Sequence, residues 1–73
     1  MYLTDKENTI INNYVAEYFN NHLDDAEQLN YWTIFKVNRY TNLLIVIWGF
    51  EKMNTRTQKI TEELKEIYII TGE

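Results

Sequence analysis

Between residues 5 and 22 apolar side chains recur at helical spacing. Ile10, Ile11, Tyr14, Val15, Tyr18 and Phe19 share one face, and Asn12, Asn13, Glu17 and Asn20 fall largely on the other. Thr4-Asp5-Lys6-Glu7 reads as a capping box at the start of this pattern: the Thr4 hydroxyl can accept from the residue 7 amide while Glu7 reaches back to the Thr4 amide. Asn20 to Asp25 closes it, because Asn and Asp side chains compete with the backbone for hydrogen bonds. The prediction is a helix over 5–22 and a polar connection to about residue 30.

The period then changes. Residues 31–39, Tyr-Trp-Thr-Ile-Phe-Lys-Val-Asn-Arg, are dense in aromatic and β-branched side chains, and from Phe35 onward Phe35 and Val37 alternate with Lys36 and Asn38, as in a strand with one wet face. Tyr40-Thr41-Asn42 supplies a tight turn, Asn42 being the residue best suited to left-handed backbone. Leu43 to Phe50 returns as a second strand, with seven of its eight side chains large and apolar. At about 1.5–3 kcal/mol for each buried side chain those seven contribute roughly 10–20 kcal/mol, an upper bound because the unfolded chain already hides some apolar area.

Thr55-Arg56-Thr57-Gln58 has the form of a second capping box, and Ile60, Leu64, Ile67 and Tyr68 then share a helical face, which predicts a second helix over about 56–68. Ile69 lies off that face, so residues 67–71, ahead of Gly72, also read as a short third strand; the helix is the preferred reading. The fold class that follows is α+β, one domain spanning 1–73 in the order helix-strand-strand-helix, an antiparallel hairpin packed with two helices.

Strand alternation in the core run gives that architecture a consequence. Leu43, Ile45 and Ile47 point to one side, and Leu44, Val46, Trp48 and Phe50 to the other, so both faces are apolar. The second predicted helix has only a narrow apolar stripe, and a second copy of the chain is therefore expected to complete the cover. Trp32, Ile45, Ile47 and Trp48 are the candidate dimer or partner surface.

Length sharpens this expectation. A chain of 73 residues buries only about 60% of its unfolded surface, and with no cysteine and a single histidine, His22, it has neither disulfides nor a multi-histidine metal site to stabilise it. Six tyrosines and two tryptophans are many for so small a domain, and such residues are enriched at interfaces. The amino terminus lacks the basic start and apolar run of a signal peptide, and the core run is too short to cross a bilayer, so a cytoplasmic location is expected.

The net charge of −4 disfavours non-specific attachment to nucleic acid or anionic membrane, but its distribution is uneven. Residues 1–35 carry −5, residues 36–59 carry +4 and residues 60–73 carry −3. Asp24, Asp25, Glu27, Glu62, Glu63 and Glu66 are a candidate acidic docking surface for a basic partner. Lys36, Arg39, Lys52, Arg56 and Lys59 are a candidate basic patch, with Tyr31, Trp32 and Tyr40 as stacking platforms beside it.

Reactive chemistry is poorly represented. His22, Asp24, Asp25 and Glu27 mix imidazole with carboxylates but have no metal-ligand spacing and no calcium-loop glycine, and read as a solvated helix-terminating loop. With no serine or cysteine nucleophile and no paired carboxylates at a telling spacing, no enzyme activity, cofactor or metal is expected. The functional expectation is a homodimeric protein-binding module acting as an inhibitor, adaptor or accessory regulator, of the kind encoded by phages and mobile elements. The alternative is a nucleic-acid-binding regulator using the basic hairpin.

Overall fold

A computed structural model describes residues 3–72. The helix α1 spans Asp5–His22, and three strands follow: β1 (Glu27–Arg39), β2 (Leu43–Asn54) and β3 (Ile60–Ile70). They form an antiparallel meander in the order β1-β2-β3. The chain is thus helix-strand-strand-strand, and the expected helix-strand-strand-helix order is wrong in its last element.

The helix forms where its local signals place it. Glu7 N–H donates to Thr4 Oγ1 at 3.1 Å and Thr4 N–H to Glu7 Oε1 at 3.0 Å, closing the capping box. Ile11 and Val15 are buried, with Tyr18 and Phe19 packed beside them against the sheet. Beneath lie Leu44, Val46, Trp48 and Phe50 of β2 and Ile67 and Ile69 of β3, flanked by Trp32, Ile34 and Val37 of β1. Trp48 is the centre of an aromatic cluster, its ring edge-to-face with Tyr18, Phe19 and Trp32 at 5.4, 5.8 and 6.1 Å.

The segment expected to be a second helix is β3. Residues 55–58 do not cap a helix; they belong to a hairpin loop built by Asn54, whose side-chain oxygen accepts from the amides of Arg56 at 2.9 Å and Thr57 at 3.1 Å. Gln58 takes left-handed backbone at φ 61°, and Asn54 N–H donates to the Lys59 carbonyl at 2.8 Å, which starts the return strand. Pairing then runs from Met53↔Ile60 to Leu43↔Ile70. The physical reason is the second edge of β2. Its backbone groups need partners, each ladder hydrogen bond adds about 0.5–1.5 kcal/mol net, and helix propensity separates ordinary residues by at most about 0.7 kcal/mol. The reading of 67–71 as a strand had the right conformation over Ile67–Ile70 but began seven residues late.

β1 also begins earlier than expected, at Glu27, and it is not regular. Its register against β2 shifts between Leu29 and Tyr31 and between Ile34 and Lys36, leaving Asn30 and Phe35 as bulged residues. The simple alternation predicted from Phe35 therefore fails: Ile34 and Val37 face the helix, while Phe35 is turned out over Gly49. In the β1–β2 turn Tyr40 N–H donates to the Leu43 carbonyl at 2.8 Å, and Asn42 does not take left-handed backbone. Asn42 instead accepts from Thr71 N–H at 3.1 Å through its carbonyl, and its side chain fills the space a Cβ on Gly72 would need.

Candidate protein interface

The helix covers one face of the sheet, and among the described residues no second layer covers the other. Each β2 residue shares its face with its partners on β1 and β3, so the outer face is read directly from the ladder. Ile45 lies in a row with Asn38 and Tyr68, Ile47 with Lys36 and Glu66, Gly49 with Thr33 and Leu64, and Glu51 with Tyr31 and Glu62. Leu43 and Ile70 extend the face at one end, and Met53 and Ile60 at the other. Its large apolar side chains stand in solvent: Ile70 is 76% exposed, Leu64 67%, Tyr68 61% and Phe35 57%.

A shallow groove crosses this face, lined by Tyr31, Phe35, Ile47, Glu62 and Leu64. Two of its lining side chains, Phe35 and Leu64, lie close over Gly49, which has no side chain to hold them off. A Cβ there would meet Phe35 Cε2 at 2.7 Å, the Glu63 carbonyl oxygen at 2.9 Å and Leu64 Cδ2 at 2.9 Å. The β1 bulge delivers Phe35 to this position, and β2 accepts it at its one glycine.

Polar and charged groups share the face with these apolar side chains. Glu66 accepts from the Tyr68 hydroxyl at 2.8 Å, which holds the Tyr68 hydroxyl proton more tightly than usual. Asn30 donates to Glu51 at 2.8 Å. Lys36 lies exposed in the Ile47 row, with no ion pair among the described residues.

The residues singled out from sequence are redistributed. Of the candidate dimer surface, Ile45 and Ile47 are on the outer face, whereas Trp48 is fully buried under α1 and Trp32 packs beside it on the inner face. The basic set is divided. Arg39 forms a two-pronged bond to Glu7 at 2.8 and 2.9 Å, Lys52 pairs with Glu27 at 2.8 Å, Lys36 is on the outer face, and Arg56 and Lys59 flank Gln58 in the β2–β3 loop. The acidic set is divided as well: Asp24 and Asp25 are in the α1–β1 turn, Glu27 is tied to Lys52, and Glu63 to Lys65 at 3.2 Å on the inner face. Only Glu62 and Glu66 look outward.

Two carboxylates on the inner side are held below their usual range. The Arg39 bond, then the Thr4 amide, hold Glu7 down from 4.5 to about 2. The Lys52 bond, then the Asp24 amide, lower Glu27 in the same sense. His22 is an exposed helix-end residue stacked on Tyr18 at 4.3 Å, with Nδ1 donating to the Tyr18 carbonyl at 2.9 Å. Among the described residues no group of three or more His, Asp and Glu is placed to hold a metal ion, and no helix is long and apolar enough to cross a membrane.

Sequence reasoning assigned Leu64 and Tyr68 to a buried helical stripe and left Phe35 without a role at the surface. The signal that bears on the first two was the second edge of β2, whose backbone groups a two-stranded hairpin leaves unpaired. Nothing local marks the bulge that turns Phe35 outward. No protein-family model matches the chain, and comparison with curated proteins and with solved structures gave no match.

Proposed function

We propose that this chain is a non-enzymatic protein-binding module whose binding surface is the outer face of the β1-β2-β3 sheet. One observation carries the reading: a three-stranded sheet keeps Phe35, Leu64, Tyr68 and Ile70 in solvent on one continuous face. Monomeric proteins rarely expose an apolar patch beyond a few hundred Å², and larger ones rimmed by polar groups mark interaction sites. Here Glu51, Glu62, Glu66 and Lys36 supply the polar positions. An inhibitor, adaptor or accessory regulator acts through such a surface alone, without chemistry of its own.

The nucleic-acid alternative has less to stand on, since Arg39 and Lys52 are engaged by Glu7 and Glu27 and the five basic residues do not face one way. Acidic docking also narrows, to Glu62 and Glu66 at the margins of an apolar surface. The test is a pull-down from source cells with the wild-type chain and the Phe35→Lys/Leu64→Lys variant as baits, read by mass spectrometry. A protein held by the wild type and lost from the variant supports the surface. Identical capture by both baits refutes it.

A further inference from the structure

Resting on that reading, we infer that the occupant of the outer face is a second copy of this chain, stacked sheet on sheet about a twofold axis parallel to β2. The molecule is a thin, elongated slab. Its extents are 47 × 19 × 16 Å and its radius of gyration is 14.0 Å, against about 11 Å for a compact chain of this length. A helix on one side of a sheet leaves a two-layer slab, and a second slab laid on the open side makes a four-layer body with an enclosed core.

Charge selects the arrangement. Lys36, Ile47 and Glu66 occupy one row across the sheet, Lys36 on one outer strand and Glu66 on the other. In a face-to-face stack, an axis parallel to β2 lays β1 over the partner's β3, so each copy's lysine at 36 meets the other's glutamate at 66 and two equivalent ion pairs form. The same operation lays Tyr31 over the carboxylate at 62, which can accept from its hydroxyl. An axis perpendicular to the strands through this row would instead set lysine on lysine and glutamate on glutamate. Displaced by one outer row toward Gly49, it would oppose Glu66 and Glu62.

Size is consistent with a real but modest association. Three strands about 4.8 Å apart and eleven residues at about 3.3 Å each give a face of roughly 500 Å². Two such faces bury on the order of 1,000 Å², the lower limit for a specific interface. The two sheets would pack about 10 Å apart with strands nearly aligned, as in a sandwich. Edge pairing is the competing geometry: β1 is protected by its two bulges, whereas β3 presents a regular edge.

Sedimentation equilibrium from about 1 to 300 μM decides between these outcomes. The expected result is a monomer–dimer equilibrium that Leu64→Lys weakens by about a hundredfold and that Lys36→Glu or Glu66→Lys alone weakens by about tenfold. The double variant Lys36→Glu/Glu66→Lys restores wild-type association, and circular dichroism of each variant checks that the fold is kept. A dimer indifferent to Leu64→Lys overturns the inference in favour of edge pairing. A monomer at every concentration also overturns it, and the pull-down above then tells whether a different protein occupies the face or whether the interface reading itself fails.

Discussion

Replacing Gly49 with alanine tests the coupling between the β1 bulge and the outer groove. The added methyl group enters space where Phe35 Cε2 stands at 2.7 Å, Leu64 Cδ2 at 2.9 Å and the Glu63 carbonyl oxygen at 2.9 Å. The first two are ends of exposed side chains and can swing away; the third is backbone of the adjoining strand, so β3 must move from β2 by a few tenths of an ångström. Filling occupied space costs about 1–3 kcal/mol, and relieving the backbone entropy of a strand glycine returns about 0.5–1 kcal/mol. The net expectation is a loss of roughly 1–2 kcal/mol. Urea denaturation followed by tryptophan fluorescence measures it: with a slope near 1 kcal/mol per M for so small a protein, the midpoint falls by roughly 1–2 M. In a Phe35→Ala/Leu64→Ala background Gly49→Ala still costs stability, because the carbonyl remains. A variant as stable as its parent in both backgrounds would refute the close approach of β3.

Neighbouring residues of β3 give a test of the strand itself. Ile67→Ala and Ile69→Ala remove side chains 3% and 8% exposed and should cost about 2–5 kcal/mol each, whereas Ile70→Ala, 76% exposed, should stay within about 0.5 kcal/mol under dilute, monomeric conditions. Equal costs at 69 and 70 in urea titrations would contradict the alternation. The Glu7–Arg39 pair makes a pH prediction. Because the folded-state value of Glu7 lies near 2 and its ordinary value is 4.5, its contribution is fully present above about pH 5 and is lost as pH falls from 4.5 toward 2. The stability difference between wild type and Glu7→Gln, measured by urea midpoints from pH 7 to pH 2.5, should be flat above pH 5 and shrink below it; a constant difference would remove Glu7 as the titrating group.

The contrast between the two ends of the chain shows what a linear reading can reach. At the amino end Thr4, Glu7 and the Ile11–Val15 spacing are local devices, satisfied within a few residues, and the helix occupies the predicted 5–22. At the carboxyl end Thr55 to Gln58 carries an equally good capping pattern, yet Thr55 donates through both its amide and its hydroxyl to the Ala26 carbonyl, across the sheet. Ile60, Leu64, Ile67 and Tyr68 fit a helical stripe and also sit in a strand, because a segment apolar on both strand faces has no unique period. The candidate site divided for the same reason. Strand alternation set Ile45 and Ile47 apart from Trp48 but did not say which face stays open; the helix then covered Trp48 and Trp32, and the charged sets separated according to which neighbour each residue found.

By itself, then, the sequence determined the helix with its cap, the first hairpin and the division of Leu43–Phe50 into two apolar faces, since capping and side-chain alternation are decided within a few residues. Tertiary structure decided the rest. The open edge of β2 drew residues 60–70 into a third strand, the register of β1 placed a bulge at Phe35, and the meeting of Phe35, Leu64 and the β3 backbone over Gly49 shaped the groove. Each depends on contacts between residues far apart in the chain, where hydrogen-bond pairing and burial outweigh the small local propensities. Their joint result is one covered face of the sheet and one open face.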